Sequence, residues 1–434
     1  MKILILICVV ALAALVADRQ VTTAGAQSAT AEVRALWVDA FHDGIKTGPQ
    51  VQQLVNDARR ANINTLIVQV RRRGDLYYPG PEPAAADLQP GFDALKAVLK
   101  AAHEGSPRLE VQAWLPALPI WSDRQNPPPW PEHLMYTHGP SAPGAQNWIM
   151  WRDDGEVWGD GVRLDPGNPE AAAYLVDLTA DLVRRYDVDG VHLDHIRYFE
   201  GDAVPGGARD RRWGYNPVSV ARFNEANGRL GWPDPNDSLW MSWRRDQVTE
   251  LVRRIRDELS TIRPELKLSV AAIPWGAGPL TDADWERSAA YTHVFQDWRG
   301  WLQRGLIDQA FVMNYNRESS TQEAGWLDRW LGFERQHTYG RQVIAGLAAY
   351  LNSPADTIRQ IKRAESPGSE GTRLAGVALY SYATPDASRS NQDPADDLPG
   401  GTLWETLTQP GPDNDFAPPF AEPAALPPMP WKVR

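Results

Sequence analysis

Cysteine is nearly missing. Cys8 is the single one in 434 residues, so neither an internal disulfide nor a cysteine-based zinc site can form. Basic residues are the minority charge, 44 Lys+Arg against 55 Asp+Glu for a net charge of −11. That balance repels phosphate and argues against a nucleic-acid partner. No apolar run reaches the roughly 17–25 residues of a membrane-spanning helix. Neither a G-x-S-x-G elbow nor a glycine-rich phosphate loop occurs. No lysine ends a candidate strand, which disfavours Schiff-base chemistry. His192 and His195 would face opposite sides of a strand, and no other histidine pair has ligand spacing. Neither a metal nor another cofactor is therefore expected.

The first residues read as an export signal. Lys2 precedes a nearly continuous apolar stretch at 3–16, and Ala24-Gly25-Ala26 offers a small-x-small cleavage site. Cleavage after Ala26 would remove the one cysteine and leave a thiol-free chain for the periplasm or the extracellular space. Ile7 beside Cys8 is too bulky for a lipoprotein signal, so no stable membrane insertion is expected after cleavage.

Eight short apolar runs recur, at 34–40, 64–71, 109–115, 189–196, 267–273, 308–315, 342–350 and 374–382. Segments of helical period lie between most of them, such as 49–61, 92–103, 169–186 and 240–262. Pro49, Pro169 and Pro354 stand where a first helical turn tolerates proline. Strand–helix alternation implies parallel pairing with right-handed crossovers. Eight such units predict a (β/α)8 barrel over 27–385, with a doubly wound open sheet as the alternative. Residues 116–168 form a long insertion rich in Trp, Pro and Gly between strands three and four, and a loop of that length is usually functional. The Pro-rich stretch 386–434 reads as an extended tail.

Period-two alternation sorts each run into faces. Gly190, His192 and Asp194 then point into the barrel, as do Trp37 and Asp39 of strand one and Gln69 and Arg71 of strand two. Trp114 stands near the C-terminal end of strand three, and Asn314 near that of strand six. Barrel active sites are built at that end, so these polar groups are expected around one mouth. A hydrogen-bonded polar plug is the competing account. Asp75 and Asp297 fall in βα loops; Asp297 could serve instead as a helix N-cap, which Asp favours. Asp308, at the other end of strand six, reads as structural. Nineteen tryptophans, among them Trp121, Trp275 and Trp298 in loops, suit stacking on sugar rings. Two or three of the loop tryptophans are expected to do so.

Several segments together resemble the glycosyl-hydrolase-like family ten proteins: RALWVD at 34–39, QVRRRGD at 69–75 with Tyr77 and Tyr78, LDPGNP at 164–169, YDVDGVHLDHIRY at 186–198, QDW at 296–298 and VMNY at 312–315. The likeness runs from about Arg34 to Tyr382. It implies an exported bacterial barrel hydrolysing glycosidic bonds, with envelope glycans such as peptidoglycan strands as substrate. Asp189–Asp194 is also similar to the strand-four segment of amylase-type barrels, whose last Asp is the nucleophile. Relatives carry a second acid just after the strand-four Asp, where this chain has His195-Ile196. Glycosidic cleavage needs two carboxyls. Asp194 is expected as nucleophile or base, held ionised by Arg71 and His192. Asp297 is expected as general acid, with Asp39 and Asp75 as rivals. Gln69, Trp114, Arg197, Trp298, Asn314 and Tyr315 complete the expected glycan contacts. The alternative is a non-catalytic glycan-binding barrel.

Overall fold

The computed structural model describes residues 31–203, 209–387, 402–410 and 417–432; the proposed export signal lies outside them. Eight parallel strands close a barrel: β1 (Val33–Val38), β2 (Thr65–Gln69), β3 (Glu110–Pro116), β4 (Gly190–Asp194), β5 (Lys267–Ala272), β6 (Gln309–Asn314), β7 (Gln342–Ala348) and β8 (Gly376–Tyr380). Closure is made by β1 on β8, in register from Val33 opposite Gly376 to Leu36 opposite Leu379. This is a (β/α)8 barrel.

Alternation explains the packing. Leu36, Val38, Leu66, Val68, Val191 and Leu193 point outward and join the apolar faces of the surrounding helices in one continuous core. Trp37, Ile67, Trp114, Phe311 and Ile344 fill the interior. Below them lies a true polar plug. Gln112 donates to Gln309 (2.7 Å), Gln309 to Gln342 (2.8 Å), and Ser269 to Gln112 (2.6 Å). The interior is thus polar at both ends, and the plug at the lower end is satisfied internally, as buried amides must be.

Local chemistry sets the helix starts. Asn168 caps the helix Pro169–Arg185, its side chain accepting from the backbone of Glu170 and Ala171, with Pro169 in the first turn. The 116–168 insertion carries a small antiparallel ribbon, Pro119–Trp121 against Val162–Arg163, which stands beside the mouth.

Within the stretch that reads as an extended tail, Thr402–Thr408 is a helix. Leu403, Trp404 and Leu407 join the core, where the helix packs between Gly48–Arg60 and Pro354–Glu365. It occupies the place of an eighth outer helix, and seven residues were too few to show a clear period. Residues 417–432 cross the lower end without a regular helix or strand. There Trp431 donates to Asp308 (2.8 Å) and Asn62 to the carbonyl of Phe420 (2.7 Å). Asp308 is structural, as its position in the sequence implies. Among the described residues, no helix is long and apolar enough to cross a membrane.

Candidate active site

Residues at or near the C-terminal ends of six strands, Gln69, Trp114, Asp194, Ala271, Met313 and Tyr380, floor or wall a cleft of about 670 Å³ at the C-terminal end of the barrel. Insertion residues Trp121 and Arg163 form one side of it; Trp275, in the loop after β5, and Trp326, in the first half of the helix Thr321–Gln336, stand on the rest of the rim.

Asp194 sits in that floor, only 7% exposed. Its Oδ2 accepts from Trp114 Nε1 (3.1 Å) and its Oδ1 from the His195 backbone N–H (2.6 Å). Burial raises its proton affinity, and the nearby Arg197 guanidinium partly opposes that rise. The carboxyl is therefore oriented by two donors and faces an open cavity. Gln69, Trp114, Arg197 and Tyr315 line the same cleft, as the sequence reading places them.

The partners expected for Asp194 are different ones. Arg71 is wholly buried and does not line the cleft: Nε and Nη2 pair with Glu82 (2.7 and 2.8 Å), while Nη1 donates to the carbonyls of Pro116 and Pro119 (2.5 and 2.9 Å). It ties the β2 loop to the start of the insertion. His192 lies beneath the floor between Ser269 Oγ (2.8 Å) and Trp37 Nε1 (3.3 Å). Burial pushes it down to about 3, so it is neutral and cannot hold Asp194 by charge. Its Nδ1 carries the proton, because Nε2 must accept from the indole.

Asp297 is the N-cap of helix Trp298–Gln303, accepting from the Gly300 N–H (3.0 Å) and from Trp285 Nε1 (3.3 Å). It does not line the cleft. Trp298 is fully buried against Trp285, and Gln296 grips Ile273 N–H (2.9 Å) and the Ala271 carbonyl (3.0 Å). The QDW segment is thus a buckle for the β5 loop that presents Trp275, and not itself a contact. Asp75 is buried on Arg72 (2.9 Å) and on the Arg73 N–H (2.8 Å). Asp39 accepts from the backbone of Phe41 and His42 and from the His42 ring (2.7 Å). Burial would raise Asp39, but the His42 hydrogen bond and charge outweigh it and hold it low. Neither acid lines the cleft.

Asn314 faces outward. It is in phase with Ala310 and Val312, which pack on the helices, and donates to Glu334 (2.8 Å); Met313 and Tyr315 take the mouth. Glu334 is fully buried, and its Oε2 and Asn314 Oδ1 have no other partner. A protonated Glu334 can donate to that oxygen and satisfy both. Burial raises it from 4.5 to about 8. Because the folded state holds this proton more tightly than the unfolded state, the contribution to stability is full below about pH 4.5 and is lost as pH rises through about 8. Glu334→Gln is expected to match the parent at pH 5 and to exceed it on the order of several kcal/mol at pH 9 by denaturant unfolding.

His195 reaches the cleft against the alternation rule. The strand stops at Asp194, and His195 takes a left-handed backbone (φ 47°) that swings its ring into the mouth. Its Nε2 is 3.9 Å from Asp194 Oδ2. The non-strand φ could not be read from the segment. Two further acids share the cleft, Asp160 and Glu323. Asp160 is clamped through both oxygens by Arg163 (2.8 and 2.7 Å). Glu323 accepts from the Arg317 N–H (2.6 Å), with the Arg317 guanidinium at 3.4 Å. Among the described residues, no group of three His, Cys, Asp or Glu side chains is placed to hold a metal.

The family profile described as "Glycosyl hydrolase-like 10" matches residues 32–357, nearly the whole barrel. The chain belongs to this family. Among curated relatives it is similar to glycosyl hydrolase YngK of Bacillus subtilis (24% identical over 368 residues, 76% of this chain and 65% of that one). It is also similar to glycosyl hydrolase DigH of Escherichia coli K12 (28% over 261 residues, 58% of this chain and 54% of that one). The chain thus spans between half and two thirds of the length of these relatives. The barrel is similar to the glycoside hydrolase domain of PgaB (BpsB) from Bordetella bronchiseptica, with TM-score 0.57 and 17% identity over 84% of this chain and all of that one. The catalytic domain of a β-amylase from Paenibacillus polymyxa gives 0.55 and 10%, over 84% of this chain and 96% of that one. At such identities the likeness is one of fold.

Proposed function

We propose that the protein is an exported glycoside hydrolase acting on a polysaccharide, with peptidoglycan-type strands as the favoured polymer. The observation that carries this reading is Asp194: a buried carboxyl aimed by two donors at an aromatic-walled cleft, at the barrel end where chemistry is done. It acts as nucleophile or base. With Asp297 committed to a helix cap, the proton donor falls to a cleft acid. Both cleft acids are held through both oxygens, but the guanidinium on Asp160 is close (2.8 and 2.7 Å) and that on Glu323 distant (3.4 Å), so Glu323 takes the role of carrying a proton to the leaving oxygen. The choice of polymer and the export rest on the motifs at 34–39, 69–75 and 186–198 and on the apolar leader.

The test is to incubate the protein with envelope glycans and assay new reducing ends. Binding without products across several glycans would sink the hydrolase reading and leave a glycan-binding barrel. A pH profile probes the assignment further. Arg197 lowers the proton affinity that burial raises on Asp194, so Arg197→Met is expected to move the acid limb of kcat/KM upward. An unmoved limb would assign that limb to another group.

A second cavity of about 370 Å³ adjoins the mouth and shares Trp275 with it. Space that continues past Trp275 suits a chain lying across the mouth rather than an end entering a pocket. The rate is expected to fall as the substrate is shortened stepwise. Disaccharides cut as fast as long chains would exclude this arrangement.

A further inference from the structure

The chain as a whole is strongly acidic, yet the cleft is lined by five arginines and three carboxylates. Four of those arginines have an account within the protein. Arg72 pairs with Asp75 and Asp87, Arg163 with Asp160, and Arg317 with Glu323. Arg197 lies over Trp275 and biases Asp194. Arg73 is left over. Among the described residues it has no carboxylate within 4 Å, its Nε has no partner, and its one side-chain hydrogen bond is a 3.4 Å contact to Ser122 Oγ.

A free arginine on a surface is ordinarily just solvated. This one is presented. Its N–H is held by Asp75 Oδ1 (2.8 Å), and its carbonyl accepts from the buried His133 Nε2 (3.0 Å). The next residue, Gly74, has φ 76° and lies so close to His133 that a Cβ would stand 2.7 Å from its ring. The backbone at Arg73 is therefore pinned on both sides. It lays the guanidinium 4.7 Å from the centre of Trp121 and 5.8 Å from that of Phe41, which is 53% exposed. Trp121 and Phe41 both line the cleft. Aromatic carbon covers the faces of the fork and no acid takes its edge, which is the geometry for a bidentate carboxylate.

We propose that Arg73, with Trp121 and Phe41, is a carboxylate-binding subsite, so that the glycan taken by this cleft is an acidic one. The inference rests on the glycan reading above. The ring of the acidic sugar lies against the exposed Phe41 while its carboxylate meets the guanidinium edge. Two sources carry that chemistry: the C6 carboxylate of a uronic acid and the free lactyl carboxylate of a muramic acid.

The test is binding, measured by calorimetry on the full chain carrying Asp194→Asn so that nothing is cut. The probes are an oligogalacturonate and a peptidoglycan glycan strand with free lactyl groups, each compared with its own methyl-amidated form. At least one acidic probe is expected to bind about tenfold or more tighter than its amide, the scale of a charge-assisted pair. Adding Arg73→Gln should erase that preference and leave the amide's affinity and the melting temperature unchanged. Which probe shows the preference identifies the source of the carboxylate. Equal binding of acid and amide, a preference that survives Arg73→Gln, or no binding of either acidic probe would overturn the proposal. The hydrolase reading fails separately: a preference dependent on Arg73 with no reducing ends from the parent chain leaves a binding protein with this subsite intact.

Discussion

Asp194→Asn is expected to lower kcat for glycan cleavage by about 10³-fold or more while leaving glycan affinity in place. The amide is isosteric and keeps one of the two donors, Trp114 Nε1 or the His195 N–H, on its single oxygen, while the other donor meets the NH2 group. What it cannot do is attack an anomeric carbon or take a proton. The floor of the cleft should keep its shape, because Leu193 and Val191 on the outer face of β4 are untouched. Reducing-end release and calorimetry on the same preparation check the two halves of the expectation. Retained cleavage would remove Asp194 from the mechanism.

Arg71→Met is expected to cost about 3–5 kcal/mol of stability, read from denaturant unfolding, because it leaves Glu82 buried and uncompensated. Glu82 is 6% exposed and both of its oxygens bind Arg71; its remaining donor is Tyr174 Oη (2.9 Å). The same change frees the carbonyls of Pro116 and Pro119, where the insertion leaves the barrel. Cleft residues Trp121 and Arg163 hang from that insertion, so activity should fall along with stability. Replacing both partners, Arg71→Met with Glu82→Leu, should recover much of the stability, since a buried pair exchanged for apolar groups is often neutral. A single variant as stable as the parent would show that the pair contributes nothing net.

The barrel was legible in the sequence because its signal is repeated. Eight apolar runs with helical segments between them leave few architectures, and the ends of β2 and β4 follow alternation as far as Gln69 and Asp194. Trp114, Arg197 and Tyr315 were likewise placed at the mouth. Legibility ended where the regular strand ended. His195 turns into the cleft through a left-handed backbone, which period two cannot anticipate. Asn314 obeys the alternation, but with the outward set, and a polar residue late in a strand was not enough to tell a mouth from a helix contact. Asp297 and Asp75 are acids in the right loops whose oxygens are spent on local backbone and side-chain donors. Local hydrogen bonding competes with function for the same residue type, and a sequence shows the acid without its donors. Arg71 was assigned to Asp194 by strand phase, yet it belongs to Glu82, eleven residues further on, through a pairing that only the folded loop reveals.

The most direct test of the account is a structure of the Asp194→Asn chain with a glycan oligosaccharide bound. The account predicts the chain lying across the C-terminal mouth, with rings against Trp275 and Trp121 and an anomeric carbon facing residue 194. An oligosaccharide seated elsewhere, or one crossing the mouth with residue 194 turned away from every glycosidic bond, would contradict it.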